Sequence, residues 1–454
     1  MKGKLVMAVS RCNPHLTPFE EIVLLRRLSE DAPSLEIFKR CLEEGPSLEF
    51  SEGRCPERHA LVLATALKTN TTISSLNLSD NHLTDAAGIA MAQMLATNGT
   101  LTLVDLSANQ LEDDSGIAMA LMLTTNGTLT SVDLKGNRLG EAAGIAMTQA
   151  LTTNSALTSL RLGCNPLGEK AGIAIGHSLA HSSNLKELDV EECNFGKDAG
   201  EAFARGLESN SSLTTLNLGC NQFGQAAVEK MVEVLALNST ISTLYLRGIR
   251  LGESGGAGIA QLLTKNDALT SLKLEWSEFG ELGGIAIAPG LAANSTLTLL
   301  DLREDKLGSA GGAAIEQALR VNGTLTALRL EDNDIPPLTV SAIEELIDRN
   351  IHNQERRVSL VELFKRDFVQ KAFNELTDKA FKDITDVSKK TVYFNIWEAY
   401  KGPICRFTTS VSKEERLHFG EQNVFRHWSK FVTAVEKSGP GACWWLDVGH
   451  YLDD

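Results

Sequence analysis

The chain has 454 residues with 43% hydrophobic and 22% charged content, ordinary for a soluble globular protein and long enough for more than one domain. Its formal net charge of −15 speaks against nucleic acid or anionic lipid as a partner, and no apolar run reaches the roughly 18 residues of a membrane span. Eight cysteines, none in a C-x-x-C pair, are too sparse for a disulfide scaffold. The opening Met1-Lys2-Gly3-Lys4-Leu5-Val6 has basic residues before an apolar stretch too short for a secretory core, so the chain reads as cytoplasmic.

Residues 1–44 are expected to form a helical N-terminal cap. Thr17-Pro18-Phe19-Glu20 supplies a capping residue, a proline at the first helical position and an early glutamate, and Ile22, Leu25 and Leu28 give the helix a buried face. A second short helix follows Asp31-Ala32-Pro33-Ser34, with Leu35, Ile37 and Phe38 inward.

Residues 45–350 repeat every 28 residues. The register is faint in a degenerate first unit, 45–72, where Leu48, Phe50, Leu61, Leu63, Leu67 and Asn70 occupy core and cap positions. Ten units then open at Ile73, Leu101, Leu129, Leu157, Leu185, Leu213, Ile241, Leu269, Leu297 and Leu325, each reading L-x-x-L-x-L-x-x-N-x-L before a helix of small residues. The pattern is that of leucine-rich repeats, and at 28 residues per unit it resembles the ribonuclease-inhibitor-like subfamily, whose relatives include the Ran GTPase-activating protein and the sensor regions of NOD-like receptors.

The physics of one unit leads to the same architecture. Leu129, Val132 and Leu134 alternate with Ser131, Asp133 and Lys135, so one face of a short strand is apolar and cannot be buried within its own unit. In the following helix, Ile145 and Leu151 are expected to turn inward over the strand, and small residues let neighbouring helices approach. Each unit therefore lends its core to the next. Helices are about 10 Å wide and strands about 4.8 Å apart, so the stack must curve. The expected fold is α/β: a leucine-rich repeat solenoid, a horseshoe with a parallel β-sheet inside and α-helices outside, followed by a mainly helical C-terminal domain.

Two asparagine series have structural explanations. Asn81, Asn109, Asn137, Asn165, Asn221 and Asn333, with Cys193 in the equivalent place, satisfy turn backbone groups left open by the strands. Cys164, Cys193 and Cys220 read as packed reduced thiols. Asn98, Asn126, Asn154, Asn210, Asn238, Asn266, Asn294, Asn322 and Asn350 close the helices, where asparagine tolerates the left-handed conformation. Helix closure also explains the period of sequons such as Asn98-Gly99-Thr100, so glycosylation is not invoked.

Departures from the pattern mark the candidate site. The outward positions of the first strands are small or acidic: Ser75, Asn77, Ser79, Asp105, Ser107 and Asp133. From the seventh unit they become large and charged. Tyr245, Arg247 and Arg250 are followed by Lys273, Glu275 and Trp276, then by Asp301 and Arg303, then by Arg329 and Glu331. The turn asparagine is lost in three successive units, to Ile249, Ser277 and Asp305. Tyrosine, tryptophan and arginine dominate binding hot spots, and Tyr245 and Trp276 are expected one strand apart on the inner wall. These ten residues form the expected partner-binding surface. Residues 1–350 carry 27 Lys and Arg against 43 Asp and Glu, so the expected partner is a protein with a basic surface, met by a monomeric chain.

Residues 351–454 hold 16 of the 25 aromatic residues. Helical spacing in Val358, Leu360, Val361, Leu363, Phe364, Phe368 and Phe373, and again in Phe425, Trp428, Phe431 and Val432, suggests an aromatic-rich helical domain. Cys405, His418, His427, Cys443, Asp447 and His450 match neither a zinc spacing nor a cysteine-protease signature. Ala442-Cys443-Trp444 shares only its Cys-Trp step with papain-type enzymes. Gly168 is followed by Glu169-Lys170, which is not a phosphate loop, so a complete NOD-like receptor is not expected. No catalytic residue, metal or cofactor is assigned. The chain reads as an adaptor, sensor or effector that recognises a protein. The alternatives are a GTPase activator, which the resemblance alone implies, and an effector delivered by a bacterium into a host cytosol with an active C-terminal domain.

Overall fold

The computed structural model describes residues 46–365. The two helices expected within 1–44, the candidate chemistry around Cys405 and Cys443, and the aromatic helices from Phe368 onward lie outside these residues.

Strands β1 (Ser47–Glu49), β2 (Ser75–Asn77), β3 (Leu103–Asp105), β4 (Ser131–Asp133), β5 (Ser159–Arg161) and β6 (Glu187–Asp189) are three residues long. So are β7 (Thr215–Asn217), β8 (Thr243–Tyr245), β9 (Ser271–Lys273), β10 (Leu299–Asp301) and β11 (Ala327–Arg329). Between them run helices α1 (Glu57–Leu67), α2 (Asp85–Leu95), α3 (Asp113–Leu123), α4 (Glu141–Thr153), α5 (Gly168–Ser178) and α6 (Lys197–Ser209). The series continues with α7 (Gln225–Leu235), α8 (Gly252–Lys265), α9 (Gly280–Ala293), α10 (Gly308–Leu319) and α11 (Pro337–Lys365). The strands form one parallel 11-stranded sheet in sequence order. Each strand residue pairs with the one 28 positions later: Leu76 with Val104, Val104 with Val132, and Val132 with Leu160.

The middle residue of each strand from Leu48 to Leu300 is buried beneath the helices, while the flanking residues face out. Between the helices the contact is backbone-close: a Cβ added at Gly144 would collide with Ala171 of the next unit. The inward stripe of α4 is Ala143, Met147, Ala150 and Leu151, whereas Ile145 is 42% exposed, contrary to the inward position expected for it. Ile145 lies two residues from both Ala143 and Met147, about 200° around the helix. The methionine fills the space that the isoleucine was expected to fill.

The turn asparagines behave as expected. Asn109 Nδ2 donates to the carbonyls of Leu78 and Leu106 at 2.9 and 3.0 Å, and its Oδ1 accepts from the Asn81 and Leu83 N–H groups. Cys193 keeps part of this role, its Sγ lying 3.4 Å from the Leu162 carbonyl. The helix-closing asparagines differ from expectation. Asn154 is extended, at φ −75° and ψ 127°, and is not left-handed. Its side chain explains why: Oδ1 accepts from the Ala156 and Leu157 N–H groups, while Nδ2 reaches the Leu123 and Asn126 carbonyls of the preceding unit. A second ladder of amides thus ties the units together behind the first.

Helix α11 continues through residue 350 to Lys365, so the boundary expected at 350 falls inside a helix. No helix among the described residues is long and apolar enough to cross a membrane.

Candidate functional site

The exposed face of the sheet is built from the first and third residues of each strand and the residue two positions beyond. In units seven to ten the third residues are Tyr245, Lys273, Asp301 and Arg329, brought side by side by the strand register. The next outward column is Arg247, Glu275, Arg303 and Glu331.

Tyr245 is half-buried, and Lys273 Nζ sits 4.5 Å above its ring. Arg247 stacks its guanidinium 4.3 Å from the Trp276 ring and places Nη1 3.7 Å from Glu191 Oε1. Cations over aromatic faces are attracted by the ring quadrupole. Tyr245 and Trp276, from adjacent units, each carry a cation on the ring face. The register sets Lys273 opposite Tyr245, and Trp276 stands three residues further on, in the turn after β9.

Trp276 is 43% exposed and has φ +63°. The equivalent turn residue is left-handed in other units too, but there it is Glu52, Asp80, Ala108, Gly136, Cys164, Glu192, Cys220, Gly248, Glu304 or Asp332. A bulky side chain at positive φ is an outlier that the surroundings must hold in place.

Asp301 organises the other half of the site. Arg303 binds it through two bonds, Nε to Oδ1 at 2.9 Å and Nη2 to Oδ2 at 2.8 Å, and Arg329 Nη1 lies 3.4 Å from Oδ2. Burial alone would raise this carboxyl, but Arg303 and Arg329 together hold it below its ordinary value. Glu275 is pushed the other way, by burial and then by the charge of Asp301. Its Oε2 is buried without a partner, although Arg303 Nη2 approaches Oε1 to 3.9 Å. Arg250 stands apart, exposed, with Nε 4.0 Å from Glu278 Oε1. Glu331 is exposed near the end of the wall.

A second charged cluster on the same face escaped the sequence reading. Lys135 Nζ reaches two units along the array to Glu191 at 2.9 Å and Asp189 at 3.4 Å. Arg161 bridges Glu187 at 2.7 Å and Asp133 at 3.5 Å. Burial would raise Glu191, but the hydrogen bond and charge of Lys135 lower it below its ordinary value. These partners are 26 to 56 positions apart, so only the stacking register reveals them. Arg247 joins the two clusters through Glu191. Burial raises the thiols of Cys164 and Cys193 above their ordinary value.

A parallel sheet with helices on one side, repeating in steps of 28 residues, defines a solenoid. The chain carries leucine-rich repeats stacked as a solenoid. The family model described as leucine-rich repeat matches residues 69–92, 97–120, 181–204 and 209–232. No curated protein matches the chain.

Among solved structures, the chain is similar to the leucine-rich repeat-containing protein LegL7 from Legionella pneumophila, with 17% identity, 67% of this chain and 98% of that one covered, and a TM-score of 0.43. It is also similar to a structure of the Rad7 and Elc1 complex in yeast, with 18% identity, coverages of 64% and 70%, and a TM-score of 0.46. A third similarity, to the actin-binding site 2 of leiomodin-1, has 21% identity, coverages of 37% and 97%, and a TM-score of 0.34.

Proposed function

We propose that the array, of the ribonuclease-inhibitor-like type, recognises a protein partner through its concave strand face, with the contact centred on units seven to ten. The observation that carries this reading is Trp276: a large aromatic side chain, 43% exposed and at φ +63°, stacked on Arg247 where other units place small or acidic residues. Exposed aromatics fixed by neighbouring side chains lose little entropy on binding, and tryptophan, tyrosine and arginine carry much of the energy of protein interfaces. Tyr245 and Lys273 extend the patch, and the Asp301, Arg303 and Arg329 cluster borders it. The acidic balance of the chain, −15 overall, favours a partner with a basic surface.

The test uses the full chain. A partner recovered by affinity capture is purified, and its dissociation constant is measured against the parent and against the Tyr245→Ala, Trp276→Ala pair. Two hot-spot truncations of about 2 kcal/mol or more each imply at least a hundredfold weaker binding, to within non-additivity. Unchanged affinity would move the site elsewhere.

A further inference from the structure

One rung of the turn ladder carries a carboxyl group in place of the asparagine amide. At Asn333, Nδ2 donates to the Leu302 and Leu330 carbonyls at 2.6 and 3.0 Å, and Oδ1 accepts from the Asp305 N–H at 2.9 Å. One unit earlier the residue is Asp305, fully buried at 0% exposure. Its Oδ1 keeps the acceptor role, taking the Ser277 N–H at 2.6 Å. Its Oδ2 has no partner, and neither does Ser277 Oγ in the rung before. By the register of the ladder, Oδ2 occupies the place from which an asparagine amide would donate to the carbonyls of Leu274 and Leu302. An ionised oxygen there faces acceptors with nothing to donate.

We infer that Asp305 is held protonated in the folded array, its Oδ2–H donating to these carbonyls as an asparagine amide would, and that loss of this proton loosens the turn presenting Trp276. Ser277, whose N–H Asp305 holds, directly follows Trp276 in that turn.

The surrounding charges agree with the geometry. Burial pushes the Asp305 carboxyl up to about 7, the N–H groups of Ser277, Glu278 and Phe279 work against that rise, and Glu275 of the preceding unit reinforces it. The following unit presents the neutral amide of Asn333. On its own unit, Asp301 and Arg303 are bound to each other. In the unfolded chain the same carboxyl ionises near its ordinary value of 3.8, so between about 4 and 7 the folded state holds a proton that the unfolded state has lost. The stability from this rung is therefore complete below about pH 4, declines as pH rises through that window and is gone above about 7.

The experiment compares unfolding of the full chain with that of Asp305→Asn from pH 4 to pH 9, with the exchange rate of the Ser277 N–H as a local measure. Asparagine reproduces the rung formed by Asn333 in the next unit, so the variant is expected to fold. The two proteins should be alike near pH 4, and the variant should gain with rising pH. The difference should level off above about pH 8 at up to roughly a thousandfold in the unfolding equilibrium, the equivalent of the gap between 3.8 and about 7. The protection factor of the Ser277 N–H, which removes the base-catalysed rise in the intrinsic rate, should fall over the same range in the parent alone. A difference that is zero, or independent of pH, would overturn the inference. So would stabilisation of the parent but not the variant by calcium, which would place a cation between these oxygens.

Discussion

Asn137 donates to the Leu106 and Leu134 carbonyls and accepts from the Leu111 N–H, so one buried side chain serves backbone groups in two successive units. Replacing it with alanine strands those groups without water, at roughly 1 to 3 kcal/mol per unsatisfied group and about 2 to 4 kcal/mol after partial relaxation. A urea titration of Asn137→Ala should show that loss as a lower midpoint with an unchanged slope. A loss below about 0.5 kcal/mol would mean that the ladder contributes little to holding the array together. The turn asparagines are legible in the sequence because their period and their chemistry coincide. The helix-closing series is legible only as a period: no local rule indicates that Asn154 is extended and reaches back to Leu123. Trp276 is legible as a departure from the repeat pattern, but its pairing with Arg247 is not, since that depends on where the turn begins.

At the scale of elements, helix stacking is uneven. A Cβ at Gly206 would strike the Gly176 carbonyl, so α5 and α6 are in backbone contact. Between α7 and α8 the closest comparable approach is looser, with a Cβ at Gly258 reaching Val232 Cγ1 at 3.5 Å. Val228 stands where the preceding units place Gly116, Gly144, Gly172 and Gly200. A cleft of about 720 Å³ opens there, lined by Val232, Leu237, Leu251 and Gly258. Asn238 donates across this region to the Asn210 carbonyl at 3.1 Å, whereas Asn266 in the next unit reaches both Leu235 and Asn238. Amide exchange is accordingly expected to be faster in α7 and the start of α8 than in α5 and α9, because local opening follows the weakest interface of a stacked array. Uniform protection from α5 to α9 would contradict this. The repeat pattern makes each helix legible, but the width of the seam depends on which small residues meet across it.

Over the whole molecule, the charges on the sheet face are arranged as cross-strand networks. Lys135 and Arg161 neutralise much of one acidic cluster, Arg303 and Arg329 hold Asp301, and Arg247 links the first network to Trp276. Such networks fix long side chains before a partner arrives, which lowers the entropy lost on binding. The most direct test of this account is oxidative footprinting of the full chain, free and bound to its captured partner. Protection is predicted at Tyr245 and Trp276, with no change at the outward helix residues Ile117, Leu121 and Ile145. Protection of those helix residues, with Tyr245 and Trp276 as reactive as in the free chain, would contradict it.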